Sequence, residues 1–541
     1  MIYLRIYILS IIILLGGIFF PTGINAQDVD TQNIHFPDFN YVKNYNPWLT
    51  SGNASGLYKL PVDNVSVAEL YFTKNKGDYR NYYQSDNSSE YGLYTESYYK
   101  LNPKVVLYGK VNYANFEGKN MSGSVFINPY NNPFDIVEIN EDNRGTKQLE
   151  RYSLSGALGA EIYKGLKIGG KIDYKAENYA KLKDLRHKNM ALDMSISLGT
   201  SYQLNSTIEL GANYFYRRCI EGVQFSMYGN TDKQYTSMIN YGAFYGGTEL
   251  FGETGYTTKD NNNPLFNEYN GASLQIDLRL SSQIQFFNSF SFQSRDGYYG
   301  KRSSTSITYA GHSSNIWGYE GNISLTKPRS LHIIRLKVNN ENLENNQNIY
   351  KIETSTGGNT QVVHYGKTKM LDQQLFTSGI EYIGNFGIKN LQPEWVVKLA
   401  ADLYNRSQTV SVYPYYRKQS IQTTDIRLFA NKNIFSGKNT YGIFMNTSYG
   451  FGQGTRNDDG VYANPSSEQY KPYSNDYYLY REYEYLTASK MRIEAGFRYT
   501  KALEKIAIFG ELALSQTKAF DIKYLDGNQN RVVYIKIGSN F

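Results

Sequence analysis

The sequence predicts an all-β chain: a transmembrane antiparallel β-barrel of roughly 18 strands, within a range of about 14 to 18, with short periplasmic turns and long extracellular loops. Three observations predict it. Charged and apolar residues alternate with a period of two through segments of about 10 to 15 residues, which is long for a soluble strand and right for a tilted membrane strand with overhang. Tight turns and long loops alternate between those segments. The 541 residues contain only 13 Pro and no Gly/Ser tract or charge block, so no linker divides them into the several domains expected of a soluble chain this long.

Residues 1–26 read as a secretory signal peptide. Arg5 precedes an apolar run over 6–15, after which Gly16, Gly17, Pro21 and Gly23 break the helix and Ala26 supplies a small residue for cleavage. The run falls short of the roughly 20 residues of a spanning helix. The mature chain is expected to begin at Gln27. The one cysteine, Cys219, lies in a strand pattern, so neither an N-terminal lipid-bearing cysteine nor an intrachain disulfide is expected.

Residues 27–64 precede the first alternation and form either a lumen plug or a periplasmic leader. The plug residues would be Asn46, Pro47, Trp48, Asn53 and Gly56, because small residues around a single Trp suit a chain tucked into a lumen.

Residues 65–541 form the barrel, and charge falls at every second position. Lys167, Lys171, Asp173 and Lys175 oppose Leu166, Ile168, Ile172 and Tyr174. Glu209 and Arg217 oppose Ile208, Leu210 and Tyr216, while Asp277 and Arg279 oppose Leu274, Ile276 and Leu278. Arg492, Glu494 and Arg498 oppose Met491, Ile493 and Phe497. With Lys398 and Asp402, these charged residues are the candidate lumen lining, in mixed signs that suit cross-strand neutralisation or a weakly selective pore. Tight turns are expected at 102–103, 164–165, 205–206, 281–282, around Pro328 and at 436–439, and long loops over 121–146, 222–267, 347–369 and 455–484. The count of 53 Tyr and 27 Phe suits aromatic belts, and the aromatic loops 222–267 and 473–485 suit stacking on sugars or a partner surface.

The last segment places Val533, Ile535, Ile537 and Phe541 on one face and Lys536, Gly538 and Asn540 on the other. It resembles the closing strand of outer-membrane β-barrels, and Lys536, Gly538 and terminal Phe541 match in part the signal that the barrel assembly machinery reads. The stretch from Asn46 to Leu57 is similar to mature N-termini of fatty-acid-transporter-like barrels. Signal, N-terminal segment, Tyr-rich alternating strands and Phe541 together resemble an uncharacterised Bacteroidetes-type outer-membrane barrel family with a domain of unknown function. That resemblance implies integral residence in the outer membrane, contact with its lipid, and no catalytic residue.

The remaining chemistry is sparse. His35, His187, His312, His332 and His364 sit in no nucleophile motif, with His312 read as part of a polar loop, so no enzyme is expected. Wide His spacing and a single Cys give no zinc or haem signature, and no cofactor is expected. Asn457 to Gly460 is read as a solvated outer-loop tip rather than a calcium site. A net charge of +7, or +6 without Arg5, is spread along the chain and points to no nucleic acid. The expected function is a channel or transporter for an unidentified small solute; the alternative is a plugged barrel that serves an outer-membrane or periplasmic protein partner.

Overall fold

The computed structural model describes residues 36–139, 141–229, 232–252, 255–259, 262–354, 358 and 360–541. The expected signal peptide and His35 lie outside the described residues. In chain order the strands are Asn64–Gly77 (β1), Asn87–Asn102 (β2), Val105–Met121 (β3), Asp135–Glu138 (β4), Gly145–Tyr163 (β5), Leu166–Lys181 (β6), Arg186–Gln203 (β7), Ile208–Ser226 (β8), Thr236–Asn240 (β9), Tyr245–Leu250 (β10) and Asn262–Arg279 (β11). They continue as Ile284–Ser303 (β12), Ser306–Lys327 (β13), Ser330–Thr354 (β14), Thr360–Phe386 (β15), Trp395–Val412 (β16), Tyr415–Ser436 (β17), Asn439–Val461 (β18), Tyr473–Ser474 (β19), Lys490–Ala502 (β20), Ala507–Ala519 (β21) and Gln529–Asn540 (β22).

Eighteen of these strands form one antiparallel sheet, and β4, β9, β10 and β19 form a second, four-stranded sheet. Each long strand pairs with the next along the chain, and β22 returns to β1 from Val67↔Asn540 to Gly77↔Asn530. The sheet therefore has no open edge. Among the described residues no helix is long and apolar enough to cross a membrane. A closed sheet meets the same requirement, because every backbone N–H and C=O at membrane depth is paired within it.

Alternation decides which face meets lipid. Ile168, Ile172, Leu198, Leu274 and Ile537 are exposed on the outside, while Lys167, Gln275 and Asp277 between them are buried within. Both chain ends of the sheet and the turns at 103–104, 164–165, 204–207, 280–283, 328–329, 387–394, 437–438 and 503–506 lie at one rim. The three long insertions, 122–144, 227–261 and 462–489, all leave the other rim.

Several expectations about the long-loop rim are corrected. Residues 347–369 are mostly strand, since β14 runs to Thr354 and β15 starts at Thr360. Their apolar residues, such as Ile349, Ile352, Val362 and Val363, follow no regular period of two, so the alternation that marks a strand in lipid is missing above it. For the same reason 455–461 belongs to β18, and Asn457 to Gly460 is strand rather than a loop tip: Asp459 is held by Arg417 at 2.7 Å. His312 lies in β13, buried, with its Nε2 2.8 Å from Asn267 Oδ1, and is not part of a loop. Residues 476–487, read as loop, form a helix.

Gly538 lies under the ring of Phe509, whose Cζ would stand 2.6 Å from any added Cβ. An aromatic ring covering a glycine on the neighbouring strand pins register. Lys536 reaches Glu69 across the closing seam at 3.4 Å, and the Phe541 amide donates to Ser66 O at 2.9 Å.

Leu274, 63 % exposed on the lipid face of β11, provides a test of orientation. Leu274→Arg is expected to lower unfolding stability in lipid vesicles by about 2–4 kcal/mol at mid-bilayer depth. A chemical-denaturation series measures it, and an unchanged midpoint would place this face away from lipid.

Candidate functional site

The lumen is filled from both ends. At the rim carrying the chain ends sits the N-terminal segment, which contains the helix α1 (Phe39–Asn44) and two 3₁₀ turns, Pro47–Thr50 and Ala54–Lys59. Local sequence explains each. The Asp38 carboxylate accepts from the Tyr41 amide at 2.7 Å, Asn46 from that of Trp48 at 3.1 Å and Asn53 from that of Ser55 at 3.1 Å. These are N-caps, and Pro47 occupies the first position of its turn, where a missing N–H is harmless. Gly56 allows the second turn to lie on the first, since a Cβ there would meet Trp48 O at 2.6 Å.

A row of missing side chains receives this segment. Gly159, Gly169 and Gly199 are register partners across β5, β6 and β7, and their inner faces are occupied by Asn53, Ala54 and Ser55. Gly211 on β8 accepts the Trp48 ring, 2.6 Å from where a Cβ would stand. Polar anchors then satisfy the buried groups. Asn53 Nδ2 donates to Thr200 O, Ala212 O and Gln275 Oε1 at 3.0–3.2 Å. Trp48 Nε1 donates to Asp277 Oδ2 at 2.8 Å. Glu209 receives Lys59 at 2.5 Å and Lys167 at 2.8 Å, and Glu96 receives Lys43 at 2.8 Å. Apolar packing of Val42, Leu49, Leu57 and Leu60 on Val65, Val106, Leu331 and Ile383 completes the plug.

At the opposite rim the three long insertions are joined into one cap. β4 comes from the first insertion, β9 and β10 from the second and β19 from the third, in the order β19-β10-β9-β4. The third also carries α2 (Asp476–Thr487), capped by Asn475 and buried along Tyr478, Leu479 and Glu482. The cap is pinned to the wall by charge. Glu138 lies between Lys147, at 3.4 Å, and Lys181, all three buried. Arg417 joins Asp459 of the wall to Ala243 O and Ser474 Oγ of the cap, stacking on Tyr245. Glu482 meets Arg406 at 3.2 Å. The loop aromatics Tyr235, Tyr241, Phe244, Tyr245 and Tyr256 are buried in the cap, which corrects their expected role as belt or sugar-stacking residues. At the cap's edge, Arg481 and Arg80 hold the Asp526 carboxyl below the usual range.

Between plug and cap the wall carries a belt of charges. Lys171 pairs with Asp173 at 3.0 Å, Lys175 with Glu177 at 2.8 Å and Arg217 with Asp193 at 2.7 Å. Arg492 pairs with Glu494 at 2.5 Å, Arg498 with Glu511 at 3.6 Å, and Asp402 with Arg427. Lys398 stands over the Phe429 ring at 5.5 Å, and Arg279 extends the Asp277 face toward the rim. Sequence reasoning missed the glycine row, the Glu138–Lys147–Lys181 cluster, and Lys337, Asp425 and Lys490. The glycines did carry a signal, since all four occupy the same strand positions as the lumen charges.

Two outcomes follow. Gly199→Val displaces Asn53, and Trp48→Ala removes about 3–5 kcal/mol of packing from plug docking; in both, amides of 47–57 are expected to lose hydrogen-exchange protection while the barrel stays heat-modifiable. The cap should respond to pH through Asp135, which burial pushes up to about 7 against hydrogen bonds from Ser124 and Tyr82 and the nearby Lys147 charge. A carboxyl with its folded pKa above its unfolded value near 4 binds more protons when folded. Cap stability is therefore greatest below about pH 4, falls as pH rises toward 7 and levels off above it. Protection factors over 123–138 measured from pH 5 to 8 check this, and Asp135→Asn is expected to flatten the profile.

A family model described as a family of unknown function (DUF6850) matches residues 54–541. No curated protein matches the chain significantly. Among solved structures, BauA, the ferric preacinetobactin receptor of Acinetobacter baumannii, is similar at 8% identity and TM-score 0.40, over 88% of this chain and 80% of that one. The RagAB peptide transporter is similar at 10% identity and TM-score 0.40, over 89% and 75%. The ferric citrate transporter FecA in its unliganded form is similar at 9% identity and TM-score 0.37, over 89% and 79%. Likeness at this level assigns no ligand. The chain, a membrane-spanning β-barrel of 18 strands, belongs to the family of unknown function DUF6850.

Proposed function

We propose that the protein is a non-enzymatic, gated outer-membrane transporter for a small hydrophilic solute, exported through the N-terminal signal peptide and inserted by the barrel assembly machinery. The observation that carries this reading is a polar chamber between two separate closures. Charged and polar side chains are prominent in its wall: Arg335, Lys337, Glu381, Asp402, Tyr404 and Arg427 line a cavity of about 450 Å³. A barrel meant only to be solid would fill that space with packed side chains. A fatty-acid cargo would strip water from every ion pair it passed there.

The plug is suited to release. It is held by hydrogen bonds, apolar packing and two lysine–carboxylate contacts instead of by continuation of the sheet, so it can leave the lumen without unpairing any barrel strand. A second reading is favoured by the cap: three insertions sewn into one sheet present a single outer surface, suited to an envelope protein partner.

Single-channel recording of refolded protein in planar bilayers separates the two. The full-length protein is expected to be silent or to flicker, and deletion of 27–63 or Gly199→Val, each combined with Glu138→Gln and Arg417→Ala to free the cap from the wall, is expected to give steady openings. Silence in all three, in protein that remains heat-modifiable, would remove transport and leave the partner-binding barrel.

A further inference from the structure

We infer that the chamber wall formed by β14 to β18 and β20 binds a small zwitterion, its ammonium group at Asp402 and Asp425 and its carboxylate at Lys337 and Arg335. This rests on the transporter reading and names its solute class.

Strand register places six inner-face residues in one row: Lys337, Gly379, Asp402, Asp425, Gly450 and Lys490. Two carboxylates directly opposite each other on neighbouring strands repel. Here they splay apart over the flanking glycines. Asp402 Oδ1 lies 2.6 Å from where a Gly379 Cβ would stand, and Asp425 Oδ2 lies 2.8 Å from the corresponding point on Gly450. The two glycines make the space that this requires.

The charges are unevenly matched. Asp402 has Arg427 as its partner. Lys490, the cation nearest Asp425 in the row, acts on it only through its field, since its ammonium donates to Tyr485 O at 3.2 Å and Leu486 O at 3.4 Å, at the end of α2. Among the described residues Asp425 has no ion-pair partner, and it opens onto the cavity. On the other side Lys337 is 55% exposed, held to Glu320 at 3.4 Å.

A solute with one charge of each sign matches both sides while adding no net charge to the lumen. Arg335 already meets Glu381 at 3.5 Å and Glu320 at 4.0 Å, so the half-exposed Lys337 is the main seat for the carboxylate; a simple cation leaves that seat empty and an anion meets the two aspartates, and these mismatches are the basis of selection. Lys337 and Asp402 are two strand spacings apart, about 10 Å, and the lysine reaches inward, so the solute's charges are expected about 5–10 Å apart.

Calorimetry tests this on the full-length protein in nanodiscs and on the Gly199→Val variant, in which the chamber is open from below. The probes are 6-aminohexanoate, hexylamine and hexanoate. The zwitterion is expected to bind the open variant at least about tenfold tighter than either single-charge probe, and Asp425→Asn or Lys337→Gln to remove at least about tenfold of that affinity. Equal binding of hexylamine, or no loss in either substituted protein, overturns the inference. If the open variant binds none of the probes while the barrel with both plug and cap released conducts, the solute class falls and transport stands; if it binds the zwitterion and the doubly released barrel passes no current, the site stands and transport falls.

Discussion

Lipid offers the peptide backbone no hydrogen-bond partner, and the rest of this structure follows from that deficit. Closing the sheet between β22 and β1 satisfies the wall, yet eighteen strands enclose a bore far wider than inward side chains can fill. Whatever enters that bore brings its own backbone groups and must find partners for them. This is why plug and cap meet the wall through Asn53, Glu209, Glu138 and Arg417, and why apolar clusters alone would not hold them.

The wall inside the lipid was legible in the sequence, because lipid on one side and water on the other force a period of two. Leu166 to Glu177 and Ala272 to Leu280 alternate for that reason. Above the membrane the contrast vanishes, and the tops of β14, β15 and β18 read as loop although they are strand. Trp48 and Asn53 stood out by composition. Their partners Asp277 and Gln275 lie more than two hundred residues away, and no local pattern joins them. The cap was the least legible part, since its sheet is assembled from three insertions whose strands are only two to six residues long.

The belt illustrates how a polar lumen stays stable without being inert. Most of its pairs are ladder neighbours, either two residues apart on one strand, as in Lys171 and Asp173, or directly across, as in Arg498 and Glu511. Such pairs are built into the wall and need no help from plug or cap. The belt therefore keeps its form when either closure moves, and only groups outside that pairing, Asp425 above all, remain to answer to an incoming solute.

The cap sheet also constrains the order in which the molecule is made. Its four strands are drawn from residues 135 to 474: β4, β9 and β10 can pair within the first 250 residues, but β19 joins β10 only when most of the chain is present. The plug docks through Asn53 and Trp48 on β7, β8 and β11, and through its apolar side on β14 and β15. Contacts so distant in sequence close slowly. In chain order the cap sheet is thus completed before the barrel is, because the seam that closes the wall joins β1 to residues 530–540, the last of all the pairing segments.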